Sequence, residues 1–215
     1  MRQLRTAFFC LSALLFLAGA ARAGDLGTLY TQIGTDGIGL GYAASFKQNW
    51  ALRGQVNYLP STSYSGNVGD YGSNATANVT VQWNSVAALV DWYPYESGFR
   101  LTGGIVANNN QLTVNATNAT IGGTGGTTVA NANATIKLSQ DPAPYLGLGY
   151  MTRPKDASGL GFNLDLGVMF DNPTVSLTAP GATQAQINSQ ISNIQNAINQ
   201  LQYFPVIGLG ISYSF

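Results

Sequence analysis

Apolar and polar residues alternate with period two along most of this 215-residue chain. The last eleven residues, from Pro205 on, show the pattern plainly. Ile207, Leu209, Ile211, Tyr213 and Phe215 share one side; Val206, Gly208, Gly210, Ser212 and Ser214 share the other. Such alternation predicts a strand with one apolar wall and one small or polar wall. Leu160 to Phe170 repeats it, with Leu160, Phe162, Leu164, Leu166, Val168 and Phe170 against Gly161, Asn163, Asp165, Gly167 and Met169. Further strands are predicted over Ile38 to Phe46, Trp50 to Tyr58, a segment ending at Tyr93, Gly98 to Asn108 and Pro144 to Met151. A weaker first strand over Leu26 to Gly34, turning at Asp36-Gly37, makes eight. In the strand ending at Tyr93 the apolar parity changes, from Val79, Val81 and Trp83 to Val86, Ala88, Val90 and Trp92. A β-bulge, or emergence of the strand above a lipid layer, predicts such a slip.

The connections sort by length. Turns near Asn49, Glu96 and Asp156 are short and fall on the side of Phe215, whereas segments 60–78, 109–143 and 171–204 are long and fall on the opposite side. That asymmetry predicts an all-β fold: an eight-stranded antiparallel transmembrane β-barrel with short periplasmic turns and long extracellular loops. A soluble antiparallel barrel has no reason to segregate its loops, and it needs a polar outer face. The last loop carries one helical pattern. Ile187, Ile191, Ile194, Ile198 and Leu201 form a narrow stripe between Thr183 and Gln202, with Thr183 placed to cap it. The expectation is an amphipathic helix packed on the barrel rim or on its own loop, with self-association and membrane-surface contact as the sharper alternatives.

Charge supports a membrane barrel. Charged residues make up 8% of the chain, far below the roughly 25% of a soluble domain, and no segment after the amino-terminal stretch is apolar for long enough to cross a bilayer as a helix. Residues 1–23 read as a cleaved signal peptide: a basic start at Arg2 and Arg5, an apolar run, then Ala21-Arg22-Ala23. The remainder, 24–215, is then a single barrel domain without cysteine, since Cys10 leaves with the signal. Six basic residues face nine acidic ones there, a net charge of about −3, which disfavours nucleic acid as a partner. The apolar carboxy-terminal strand ending in an aromatic residue resembles the closing strand of Gram-negative outer-membrane barrels. On that resemblance Phe215, Tyr213 and Ile211 form the insertion signal read by the barrel assembly machinery.

The chain contains no histidine. Serine–histidine catalysis is thereby excluded, and nitrogen-type metal ligands are missing, so the reading is not an enzyme, with no cofactor and no metal. The glycines at 122–126 lack the Gly-Lys-Ser/Thr of a phosphate loop. The long loops are rich in Asn, Thr, Ala and Gly. Alternation at Thr113-Val114-Asn115 suggests strands extending above the membrane as a hairpin. Asn74, Asn78, Asn115, Asn118 and Asn133 each start a glycosylation sequon, which in a bacterial outer-membrane protein is expected to stay unused. The notable chemistry is inward charge: Arg53, Asp91, Arg100 and Asp165 all fall on faces assigned to the lumen. Charges inside a membrane protein must pair or meet water, so this cluster either braces a filled lumen or lines a solute path.

Three runs carry a wider resemblance: Gly34-Thr35-Asp36-Gly37-Ile38-Gly39; Asp91-Trp92-Tyr93-Pro94 followed by Phe99-Arg100-Leu101-Thr102-Gly103-Gly104; and Phe204-Pro205 to Phe215. They resemble the ornithine-uptake-porin type of outer-membrane protein and, more loosely, the outer membrane protein W family. The resemblance spans the strands but not the loops, and it implies an eight-stranded barrel in the bacterial outer membrane. Outer-membrane lipid, lipopolysaccharide and small solutes are then the expected partners. The functional expectation is a narrow passive channel for small solutes or a structural envelope component. The alternative is a surface interaction protein, adhesin- or receptor-like, acting through its Asn/Thr/Gly-rich loops.

Overall fold

The computed structural model describes residues 27–67, 75–95, 97–122, 126–138, 142–152 and 158–215. The expected signal peptide, the Asn74 sequon, Glu96 and most of the 122–126 glycine run lie outside them. Among the described residues eleven strands form: β1 (Thr28–Gly34), β2 (Gly37–Lys47), β3 (Trp50–Asn67), β4 (Thr76–Trp92), β5 (Phe99–Asn108), β6 (Gln111–Ile121), β7 (Thr127–Leu138), β8 (Ala143–Met151), β9 (Gly159–Phe170), β10 (Pro173–Thr178) and β11 (Tyr203–Ser214). Eight of them, in the order β1-β2-β3-β4-β5-β8-β9-β11, close on themselves because β11 pairs with β1 from Thr28↔Ser214 to Gly34↔Gly208. Every pairing is antiparallel. The predicted eight-stranded barrel is what forms.

Alternation decides which residues meet lipid. Leu40, Leu52, Val90, Leu101, Ile105, Leu146, Leu148, Phe162, Ile207 and Leu209 all point outward and are exposed. Aromatic residues cluster at both ends of this apolar belt, as they do in membrane barrels. Trp50 stacks on Trp92, Tyr150 on Phe162, and Tyr213 meets Phe215 edge-on at the periplasmic end; Phe170 and Tyr203 pair at the other. The span from Trp50 to Tyr58 on tilted β3 corresponds to about 20 Å of height. No helix among the described residues is long and apolar enough to cross a membrane; the chain crosses with strands.

Several boundaries differ from expectation. The first strand starts at Thr28, and its hairpin turns at Thr35-Asp36 rather than Asp36-Gly37. Gly37 instead opens β2 at φ +100°, where a Cβ would press on the Tyr58 carbonyl. Among the described residues, the first two long external segments are largely strand, and the third is largely helix. β3 and β4 continue above the belt, β6 and β7 form a hairpin, and β10 adds a strand the alternation did not reveal. The parity change in β4 is emergence: the strand runs on unbroken, and it is β3 that bulges, at Pro60-Ser61.

β4 is the branch point. Its lower half, Ser85–Trp92, pairs with β5, and its upper half, Thr76–Gln82, pairs with β6. The result is an external sheet in the order β3-β4-β6-β7-β10. Asn110 seals the fork: its Oδ1 accepts from the Asn84 amide at 2.9 Å, and its carbonyl accepts from the Leu138 amide at 3.0 Å. The expected helix is α1 (Gln184–Ile198), continued by a 3-10 turn over Asn199–Gln202. Thr183 caps it in a capping box with Gln186. Ile187 packs against the Ala116, Ala132 and Val129 cluster, and Gln195 donates to the Pro173 carbonyl at 2.8 Å, covering the edge of β10. The helix therefore packs partly on β10 of its own loop, as expected, and partly on the neighbouring β6–β7 hairpin.

Candidate functional site in the barrel lumen

The four charges predicted to face inward come together. Arg53 projects from β3, Asp91 from β4, Arg100 from β5 and Asp165 from β9, each at most 2% exposed. Arg53 grips Asp165 with both ends of its fork, Nη1 to Oδ2 at 2.8 Å and Nη2 to Oδ1 at 3.1 Å. Arg100 donates to the same carboxylate through Nη2 at 2.8 Å. Asp91 lies 3.0 Å from Arg53 Nε and 3.7 Å from Arg100 Nε in ion-pair contacts, and it accepts from Thr102 Oγ1 at 2.7 Å. Arg53 also stands 5.7 Å from the centre of the Tyr30 ring. Two guanidiniums and two carboxylates sum to no net charge. That balance is what makes their burial tolerable, because desolvated ions must be paired.

Space for these side chains comes from inward glycines. A Cβ on Gly149, between Arg100 and Asp165 on the neighbouring strands, would stand 3.2 Å from both charged groups. One on Gly167 would collide with the Tyr145 phenol. The lumen is thus filled by a few long polar chains set against small neighbours, as a narrow eight-stranded barrel requires.

Above the quartet a hydrogen-bonded chain climbs the wall: Tyr30 donates to Gln55 at 2.6 Å, Gln55 to Asn57 at 2.6 Å, and Asn57 to Ser85 at 2.9 Å. Beside it lies a cavity of about 30 Å³ with a polar border at Gln32, Asp36, Gln55, Asn57, Ser85 and Asn110 and an apolar border at Ala87, Leu89, Val106, Met169 and Val206. At roughly 10–15 Å³ per water it holds two or three waters and no solute. Asp36, in the external turn between β1 and β2, reaches into this cavity. Burial pushes its carboxyl up to about 6, and its Oδ1 has no hydrogen-bond partner among the described residues.

The outer mouth is shut by apolar residues. Leu89, Val106, Tyr145, Met169 and Val206 form a buried collar. On top of it Trp83 from β4 meets Phe204 from β11, ring centres 5.8 Å apart. These strands stand four places apart in a ring of eight, so the two rings touch across the full width of the barrel.

No protein-family model matches the chain, and no curated protein does. Solved structures that match its fold include two from one organism. Acinetobacter baumannii CarO is 20% identical, with 88% of this chain and 97% of that one covered at a TM-score of 0.59. CarO2 of the same organism is 19% identical over the same shares, also at 0.59. The chain shares the CarO fold. The fold match bears out the eight-stranded barrel that the sequence resemblance implies, and the apolar outer belt is consistent with the bacterial outer membrane. Ile211, Tyr213 and Phe215 lie on the lipid-facing wall near the periplasmic rim.

Sequence reasoning gathered the quartet but missed what shuts the mouth. In the sequence Trp83 belongs to a parity slip and Phe204 to a family-like run, and Tyr145 and Asn110 carry no signal. Strand parity alone assigns Trp83 and Phe204 to the lumen, once β4 and β11 are extended upward without a break.

Proposed function

We propose that this protein is an outer-membrane barrel that is closed as folded, serving the envelope as a non-enzymatic scaffold for the structured platform it raises above the membrane. The observation that carries this reading is the double seal. A neutral ion quartet spans the lower lumen and the Trp83–Phe204 contact spans the mouth, leaving about 30 Å³ between. A side-chain network that interlocks four strands favours bracing over conduction. The external strands and helix, in contrast, form a packed unit built for presentation.

A second reading is favoured by the polar border of the cavity. Amides and a carboxyl beneath an aromatic closure suit a small polar solute that enters when Trp83 and Phe204 part. Planar-bilayer conductance of the refolded protein separates the two. The scaffold reading expects no conductance from the wild type or from Trp83→Ala/Phe204→Ala, and channels only when Arg53→Ala is added. Steady small-solute conductance from the wild type refutes it. Deleting residues 109–143 tests the platform: envelope integrity falls while the barrel remains heat-modifiable on a gel.

A further inference from the structure

The external sheet has two chemically opposite faces. On one, Val79, Val114 and Leu177 stand in register, as do Val81, Leu112 and Val175. This face continues the lumen side of β4 and carries α1. On the other, hydroxyls and amides run in rungs across all five strands. One rung is Ser63–Thr80–Thr113–Thr135–Ser176; the next is Ser65–Asn78–Asn115–Asn133–Thr178. Cross-strand bonds set these groups: Ser63 to Thr80 at 3.0 Å, Asn78 to Ser65 at 2.9 Å, Asn133 to Asn115 at 2.6 Å. Strand geometry spaces them on a grid of about 4.8 by 6.7 Å.

Position identifies what lies against this face. Val86, Ala88, Val90 and Trp92 on β4 face lipid, and the same side of the same strand continues upward as Gln82, Thr80 and Asn78. The polar array is therefore the upward continuation of the lipid-facing wall. Its charge is confined to the lowest rung, Gln82–Gln111–Lys137–Thr174, where Lys137 is exposed. Four residues of tilted strand separate Gln82 from Val86, about 10 Å of height. Lys137 thus sits at headgroup level and the neutral rungs rise above it. An anion below and uncharged polyhydroxyl matter above is the profile of a lipid-anchored phosphorylated saccharide.

We propose that this face binds the lipopolysaccharide of its own leaflet, with Lys137 on a headgroup phosphate and the Ser/Thr/Asn rungs along the sugar chain. The proposal rests on the platform reading above and names its partner. The test uses the mature protein refolded in detergent micelles, with two probes: lipopolysaccharide carrying its full polysaccharide, and lipid A alone. Wild type is expected to bind the full molecule at least tenfold more tightly. Thr80→Val/Thr113→Val/Thr135→Val, which preserves shape and strand propensity, should lose that advantage. Lys137→Gln should weaken both probes alike. If the triple variant fails to fold, hydroxyl-radical footprinting of the wild type decides: the full molecule should protect the 113–117 and 131–135 segments, and lipid A should not. Equal affinity for both probes, protection of α1 or the apolar face instead, or the same protection arising from dimerisation without lipid overturns the assignment. Binding is read independently of conductance, so an open pore would refute the scaffold reading without touching this result.

Discussion

Removing Arg53 should unbalance the lumen more than any other single substitution. The side chain holds Asp165 by two hydrogen bonds, contacts Asp91 at 3.0 Å and packs on Tyr30. In Arg53→Ala the two carboxylates share Arg100 alone, and Arg100 reaches Asp91 only at 3.7 Å. A buried group left with an uncompensated charge costs about 3–5 kcal/mol, a large share of the roughly 5–15 kcal/mol that holds a domain folded. Water entering the space vacated by the guanidinium places the expected loss at the lower end, about 3 kcal/mol, or two orders of magnitude in the folding equilibrium. The assay is reversible urea unfolding of the barrel in lipid vesicles, followed by tryptophan fluorescence and by heat-modifiable migration. A charge-based loss must be repaired by restoring neutrality. Arg53→Met/Asp165→Asn leaves one arginine and one aspartate, and it should regain at least half of the lost stability. A single-variant loss below about 1 kcal/mol refutes the reasoning, as does a double variant no more stable than the single one.

Asp36 gives a pH signature. Its carboxyl is raised to about 6 by burial, so the folded state favours the protonated form; this contribution is full below about 4, the unfolded value, and is lost as pH rises through 6. Asp36→Asn should therefore exceed wild type in stability by about 2–3 kcal/mol at pH 8, with the gap closing at pH 4; no gap at pH 8 sinks this. Gly167→Ala drives a methyl into the Tyr145 phenol and should cost about 1–3 kcal/mol. Tyr145→Leu should recover part of it in a double-mutant cycle, and strict additivity would place the strain elsewhere. Phe215→Ala should reduce assembly into the outer membrane of cells by severalfold while leaving refolding in detergent intact. A parallel loss in both would mark Phe215, which packs on Tyr213 and donates its amide to Gly27, as a folding residue instead.

The barrel was legible because lipid on one side and a filled lumen on the other impose strict period two, and a one-residue slip would invert every side chain. The same parity exposed Arg53, Asp91, Arg100 and Asp165 as a set, since charge on an inward face stands out against Leu, Gly and Tyr. Above the membrane that contrast fades. Thr and Asn are tolerated on both an exposed strand and a loop, so β10 and the upper half of β3 looked like connection. Pro60 deepened the impression, although it marks a bulge. The contact between Trp83 and Phe204 was invisible for another reason: it joins residues 121 positions apart, and the chain alone carries no measure of which inward side chains meet across a barrel.

The branch at β4 ties the closure to the platform. Trp83 lies between Gln82, the last residue paired to β6, and Asn84, whose amide and carbonyl are both held at the fork by Asn110 and Asn109. Its backbone is therefore fixed on both sides, and the ring packs on the buried collar. Freeing the mouth means either swinging an indole out of a packed cluster or shifting the upper half of β4 together with β6. The first sacrifices aromatic contacts worth about 1 kcal/mol beyond the apolar burial itself. The second moves the external sheet as a unit. The outer platform and the inner seal are in this way one mechanical element, with Trp83 at the joint.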